Sequence, residues 1–133
     1  MTDTTVTLFR TTLLRVPWSK EPPDNGIMPP SAREFLLLEI ETRGGLTGFA
    51  YLQPLSGGLE TLEMCLKEMI APKVIGRDAT EVEGVWQDLW KSTYWLGRGG
   101  IATWALSAVD IALWDLVGKR AGLALHRLWG SCR

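Results

Sequence analysis

Residues Gly99–Gly130 read GGIATWALSAVDIALWDLVGKRAGLALHRLWG. The stretch predicts one long helix from about Ile101 to Ala121, closed by Gly122. Apolar residues fall on nearly every side of it. A helix of that kind is buried on more than one face. Ala102, Ala105, Ala108 and Ala112 are small enough to let another element approach closely. A chain of 133 residues offers little for such a helix to bury itself against, so a partner surface is expected.

Upstream, the apolar period changes. Thr4–Val16 alternates, with Val6, Leu8, Leu14 and Val16 of one parity, Arg10 and Thr12 as polar interruptions, and Phe9 and Leu13 making the other face partly apolar, and predicts a strand. Glu34–Thr42 predicts a second strand with Leu36, Leu38 and Ile40 on one face. Arg43-Gly44-Gly45 is a tight turn, and Leu46–Leu52 returns as a third strand. Leu59 then opens a helix with Leu62, Leu66, Met69 and Ile70 along one stripe, Glu63 and Lys67 paired on the wet side, and Pro72 as its end. Asp78-Ala79-Thr80-Glu81 has the spacing of a capping box. Behind it, Val82, Val85, Trp86, Leu89, Trp90 and Tyr94 fall at helical intervals, and Gly97-Arg98-Gly99-Gly100 breaks the pattern. Strands followed by helices give an α+β class: a three-stranded antiparallel meander and a bundle of about three helices.

Composition narrows the partners. Hydrophobic residues make up 46%, charged residues 22%, and the net charge is −1, so no electrostatic footprint for nucleic acid is present. No uncharged apolar run reaches about 18 residues, so no membrane span is expected. MTDTTVTLFR lacks the basic start of a secretory signal, and Cys65 and Cys132 form no metal or redox motif, which together suggest a cytoplasmic protein.

Few residues propose chemistry. Asp110 and Asp115 both lie within the long helix, but five residues at 100° each set them roughly 140° apart, so they form no dyad. Asp115 is spaced to pair with Lys119. His126 is the only histidine and can make no two-histidine metal site. Gly97–Gly100 could expose backbone N–H groups to phosphate, but it follows a helix and lacks a phosphate loop's Lys-Ser/Thr. Trp86, Trp90, Trp104 and Trp114 sit at core spacing, whereas Trp18 lies in the proline-rich stretch Pro17–Ser31, where an aromatic could help cover a ligand. No complete active site emerges.

The pattern Ala105-Leu-Ser-Ala-Val-Asp110-Ile-Ala-Leu-Trp-Asp115-Leu-Val-Gly118-Lys119, followed by Ala124-Leu125-His-Arg-Leu128-Trp-Gly130, resembles the signature of the mandelate racemase/muconate lactonizing enzyme family, in the enolase superfamily. The Gly44-Gly45 hairpin and Ile75-Gly76-Arg77-Asp78 fall in matching order. The resemblance covers only the family's amino-terminal capping domain. It implies a cap over residues 1–130, with strands within about 4–52 and helices within about 59–121, and places Ser131-Cys132-Arg133 at the start of a (β/α) barrel that is absent.

In such enzymes the barrel carries the Mg²⁺ ligands and the acid/base groups, and the reaction begins with removal of the proton α to a substrate carboxylate. The resemblance therefore implies no catalytic residue, metal ligand or cofactor on this chain. It implies two loops that close over substrate, Pro17–Ser31 and Tyr51–Gly58, with Trp18, Lys20, Tyr51 and Gln53 as substrate contacts. Gly48-Phe49-Ala50-Tyr51 and Trp95-Leu-Gly-Arg-Gly-Gly100 resemble the mandelate racemase and acid-sugar dehydratase branch. The expected partners are a barrel domain, in the same chain or supplied separately, a small carboxylate or acid sugar, and further copies of the chain in a homo-oligomer. The alternative is a stand-alone interaction or dimerisation module that kept the fold without the chemistry.

Overall fold

The computed structural model describes residues 3–18, 20, 32–54 and 57–130. The predicted turn Asp24-Asn25-Gly26, Cys132 and the expected barrel start at 131–133 lie outside them. Strands β1 (Val6–Pro17), β2 (Ala32–Thr42) and β3 (Thr47–Leu52) form an antiparallel meander in the order β1-β2-β3. Five helices follow: α1 (Leu59–Met64), α2 (Ala71–Val74), α3 (Val82–Ser92), α4 (Gly100–Ala121) and α5 (Leu125–Leu128). The described residues form no barrel.

The sheet carries its helices on one face, and β2 behaves as its alternation predicts: Leu36, Leu38 and Ile40 are fully buried. Of the two partly apolar faces of β1, a bulge decides which one is buried. A bulge between Val6 and Leu8 inserts one residue, and one residue reverses the parity of everything beyond it. Val6 faces the core, but from there inward it is Phe9, Thr11 and Leu13 that pair with Ile40, Leu38 and Leu36. Leu14 and Val16 are 39% and 47% exposed on the opposite face. Thr11 confirms the direction, since its hydroxyl donates to Glu63 on α1 at 2.8 Å.

The hairpin after β2 closes with the Gly45 N–H donating to the Thr42 carbonyl at 2.9 Å, and Gly45 takes a positive φ of 83°. Pro72 does not end the first helix. Between α1 and α2 the chain makes a π-helical turn over Cys65–Ile70, and the Ala71 N–H reaches back five residues to the Leu66 carbonyl. Proline lacks a donor and crowds the carbonyl four residues back, and the wider turn accommodates both effects. It also rotates Met69 off the predicted apolar stripe, leaving it 37% exposed.

Nor does Asp78 open α3 as a capping box would. Its Oδ1 accepts the Thr80 N–H at 2.9 Å and the hydroxyls of Thr80 and Thr4 at 2.8 and 2.7 Å, and the helix starts four residues later at Val82. The Thr80 backbone bond, with the two hydroxyls, holds the Asp78 carboxyl below its ordinary range. This ionised form therefore stabilises the fold at neutral pH, and the contribution fades as pH falls through the lowered value.

Helix α4 has the length and apolarity of a membrane span but serves here as the core helix. Nine of its residues are buried, including all four small alanines. Gly48 on β3 presses directly onto it: a Cβ there would stand 2.1 Å from the Ala112 carbonyl oxygen and 2.7 Å from Leu116 Cγ. Helices α1 and α3 complete the core with Leu59, Leu62, Val85 and Leu89.

Candidate functional site

The face of the sheet turned away from the helices ends in an aromatic patch. Trp18 follows β1 directly, and the guanidinium carbon of Arg33 lies 4.5 Å from its ring centre. Tyr51, on β3, meets Phe35 edge-on at 6.3 Å and is 59% exposed. Arg33 and Phe35 are two apart on β2, so they share one face about 7 Å apart. Through these two residues the fold gathers Trp18 and Tyr51 at the same end of the sheet. Lys20 is exposed and Gln53 half-buried. Residues 19, 21–31 and 55–56 of the two expected loops lie outside the described set.

Arg33 is the residue that sequence reasoning missed. It has no carboxylate partner among the described residues, and it offers a planar fork of donors beside the Trp18 ring. Such a fork suits a carboxylate. Its position two residues past the proline-rich stretch was the available signal. Its alignment with Trp18 was not, because it depends on the Val16–Arg33 register.

The acids of α4 are structural and separate, as the helical geometry required. Asp115 accepts the Phe49 N–H at 2.9 Å and the Lys119 ammonium at 2.6 Å, and that ammonium also donates to the Thr47 carbonyl at 2.8 Å. Asp110 faces α3 instead, in a narrow apolar crevice beside Val82, Val85, Leu106 and Val109. Burial, with a smaller push from Glu83, raises its carboxyl above the usual range.

Because the folded value is raised, ionised Asp110 opposes folding at neutral pH, and the penalty disappears below the unfolded value of about 4. Asp110→Asn is therefore expected to raise the unfolding free energy measured in urea at pH 7 by less than about 1 kcal/mol, since water screens a partly exposed group. Repeating the melt near pH 3.5 should show the gain shrinking. An unchanged gain would mean that charge is not its source.

The remaining candidates are engaged in packing or exposed among the described residues. Arg98 bridges the rings of Trp90 and Tyr94 at 3.9 and 4.8 Å and donates to the Trp90 carbonyl at 3.1 Å, fastening Gly97–Gly100 to α3 rather than opening a phosphate cradle. His126 is exposed on α5. Trp86 stacks on Trp90 at 5.1 Å, and Trp114 meets Trp129 edge-on at 5.3 Å, so these rings pack on one another. Among the described residues no group of three His, Cys, Asp or Glu side chains could hold a metal ion.

Residues 9–130 match the sequence profile of the mandelate racemase / muconate lactonizing enzyme N-terminal domain. The chain belongs to this family. A D-mannonate dehydratase of Xanthomonas oryzae pv. oryzicola is 42% identical over 99 residues, covering 74% of this chain and 23% of its own length. A 3,6-anhydro-alpha-L-galactonate cycloisomerase of Streptomyces coelicolor is 36% identical over 122 residues, covering 92% and 34%.

Among solved structures, an L-talarate dehydratase of Polaromonas sp. JS666, complexed with Mg and L-glucarate, superposes with a TM-score of 0.82 at 33% identity, covering 97% of this chain and 33% of that one. This mandelate racemase family domain thus spans about a quarter to a third of the length of the relatives it matches. Those relatives are acid-sugar dehydratases and isomerases.

Proposed function

We propose that this chain is the substrate-capping domain of an acid-sugar dehydratase or isomerase that acts by removing the proton α to a carboxylate. Residues 1–130 form the cap, and a barrel domain supplies the acid/base groups and the Mg²⁺ ligands. The described residues offer no set of donors that fits the ion, so no chemical step is assigned to this chain. Its contribution is to exclude water and to read the substrate. A cytoplasmic location accords with an intracellular sugar-acid metabolism.

The observation that supports this reading is the end of the sheet where Arg33 lies over the Trp18 ring and Tyr51 meets Phe35. Lys20 and Gln53, which make no hydrogen bond to the patch among the described residues, would add contacts to the same ligand. Arg33 and Lys20 would attract the carboxylate, and the two rings would pack on the carbon chain. Grafting this domain onto the barrel of the Streptomyces coelicolor cycloisomerase, in place of its own cap, tests the idea. Turnover should be measured on mannonate, galactonate and anhydrogalactonate. The substrate preference should shift from that of the parent, and Tyr51→Ala or Arg33→Ala should raise KM about tenfold, the cost of one charged or aromatic contact, with a smaller change in kcat. A preference identical to the parent's would show that the cap does not choose the substrate.

A further inference from the structure

At the end that bears Trp18 and Arg33, the sheet narrows to two strands. β3 pairs with β2 only as far as Leu36, whereas β1 and β2 run on together through Leu14–Pro17 and Ala32–Phe35. This ribbon carries the candidate patch: Trp18 follows its first strand, and Arg33 and Phe35 lie on its second. A two-stranded ribbon is marginal by itself and needs something to pack against. It offers little apolar material for that purpose. On the face turned toward the helices, Leu13, Leu36 and Leu38 give way outward to Arg15, Glu34 and the small Ala32. Charge takes the place of burial there. The Arg15 Nε donates to Glu34 Oε1 at 3.0 Å, and its Nη2 donates to the Glu60 carboxylate in the first turn of α1. The Glu34 side chain is 15% exposed, those of Arg15 and Glu60 53% and 64%. Among the described residues, Arg15 with Glu60 is the only ion pair between the ribbon and a helix.

We propose that Arg15 is a positioning residue for the patch: it ties the ribbon that bears Trp18 and Arg33 to the first turn of α1. One planar guanidinium offers separate donors to two carboxylates on different elements, a geometry that a lysine ammonium does not reproduce. Glu34 stands between Arg33 and Phe35, and successive side chains point to opposite faces of a strand. A grip on Glu34 from the helix side therefore sets where Arg33 and Phe35 stand on the other side. Glu60 fixes the far end of that grip to α1, which Leu59 and Leu62 anchor in the core. Loss of either carboxylate frees the ribbon to twist, and the Arg33–Trp18 pair moves with it. The tie to Glu60 lies in water, so salt weakens it. The consequence for substrate rests on the capping role proposed above; the placement of the ribbon does not.

Amide hydrogen exchange on the chain alone, followed by NMR, tests the tie. The amides of Val16, Arg33 and Phe35 report on the ribbon, and those of Leu38 and Ile40 on the inner sheet. Glu60→Gln removes the charge and keeps the size. It should speed exchange in the ribbon roughly two- to fivefold, the effect of losing an exposed ion pair, and leave the inner sheet unchanged. Arg15→Ala should do at least as much, and about 0.5 M NaCl added to the parent should reproduce Glu60→Gln. Slow exchange at Leu38 and Ile40 also shows that the variants fold. Ribbon exchange indifferent to Glu60→Gln or to salt, or a rise shared equally by the inner sheet, would overturn the proposal. In the barrel graft described above, Arg15→Ala should raise KM severalfold with a smaller change in kcat. That rise should vanish in an Arg33→Ala background, because Arg15 acts through Arg33. A rise that persists there would overturn the positioning role. Faster ribbon exchange with KM unmoved would uphold the hold of Arg15 on the ribbon and count instead against the patch as a substrate site.

Discussion

Gly48→Ala is expected to destabilise the chain by about 3 kcal/mol, the upper part of the range for overpacking, and Gly48→Val to prevent folding. Gly48 does not take a positive φ, so backbone freedom is not the reason. The reason is space. The added carbon would lie 2.1 Å from the Ala112 carbonyl oxygen, a main-chain atom in the middle of a 22-residue helix. Leu116 Cγ, at 2.7 Å, closes the other side. A flexible side chain could swing away, but a helix backbone inside a packed core can move only as a unit. To admit one methyl, α4 would have to lift from β3 and open the contacts of Ala105, Ala108 and Leu113 as well. Urea melts of the two proteins measure the difference. A Gly48→Ala change within about 0.5 kcal/mol of the parent, as at an ordinary surface site, would mean that β3 and α4 separate easily.

Asp115→Ala should cost about 2 kcal/mol, typical for hydrogen bonds to a charged group. β3 is the edge of the sheet, and its outer row of backbone groups would otherwise be bare. Helix α4 covers that edge with side chains: Asp115 takes the Phe49 N–H, and Lys119 gives to the Thr47 carbonyl while bonding Asp115 itself. The pair does the work of one more strand.

Hydrogen exchange at the Phe49 amide separates this clasp from general stability. Asp115→Ala should speed exchange at Phe49 beyond the change at Ala50, whose amide belongs to the same strand. Asp115→Asn keeps an acceptor and should lose less than half as much stability as the alanine variant. Equal losses for alanine and asparagine, with no local change at Phe49, would reduce Asp115 to its ion pair with Lys119.

The sequence resolved the parts of this fold that local chemistry decides. Leu36, Leu38 and Ile40 alternate without interruption, so β2 faces the core as expected. The Arg43-Gly44-Gly45 turn and the Gly122 stop are likewise fixed by neighbouring residues. Other features depend on residues far away in the chain. The bulge after Val6 follows from how β1 meets Thr42 and Glu41, and it decides which of that strand's two partly apolar faces turns inward beyond Val6. The π turn lets the helix continue past Pro72, which a proline rule alone would not allow. Asp78 looked like a cap until Thr4, 74 residues away, claimed its oxygen. The same limit governs the candidate site. Trp18 and Tyr51 were visible as aromatics in suitable stretches, but Arg33 joins them only through strand register, and the partner of Asp115 is a backbone amide that no pattern of side chains reveals.

On the capping reading, the chemistry lies in a barrel and not in these residues. The most direct measurement is turnover by the purified chain alone, supplied with Mg²⁺ and with mannonate, galactonate or galactarate, followed by detection of the keto-acid product. No product above the enzyme-free rate is expected, and turnover should appear only when a barrel is joined or added. Sustained turnover by the chain without any second component would contradict the account.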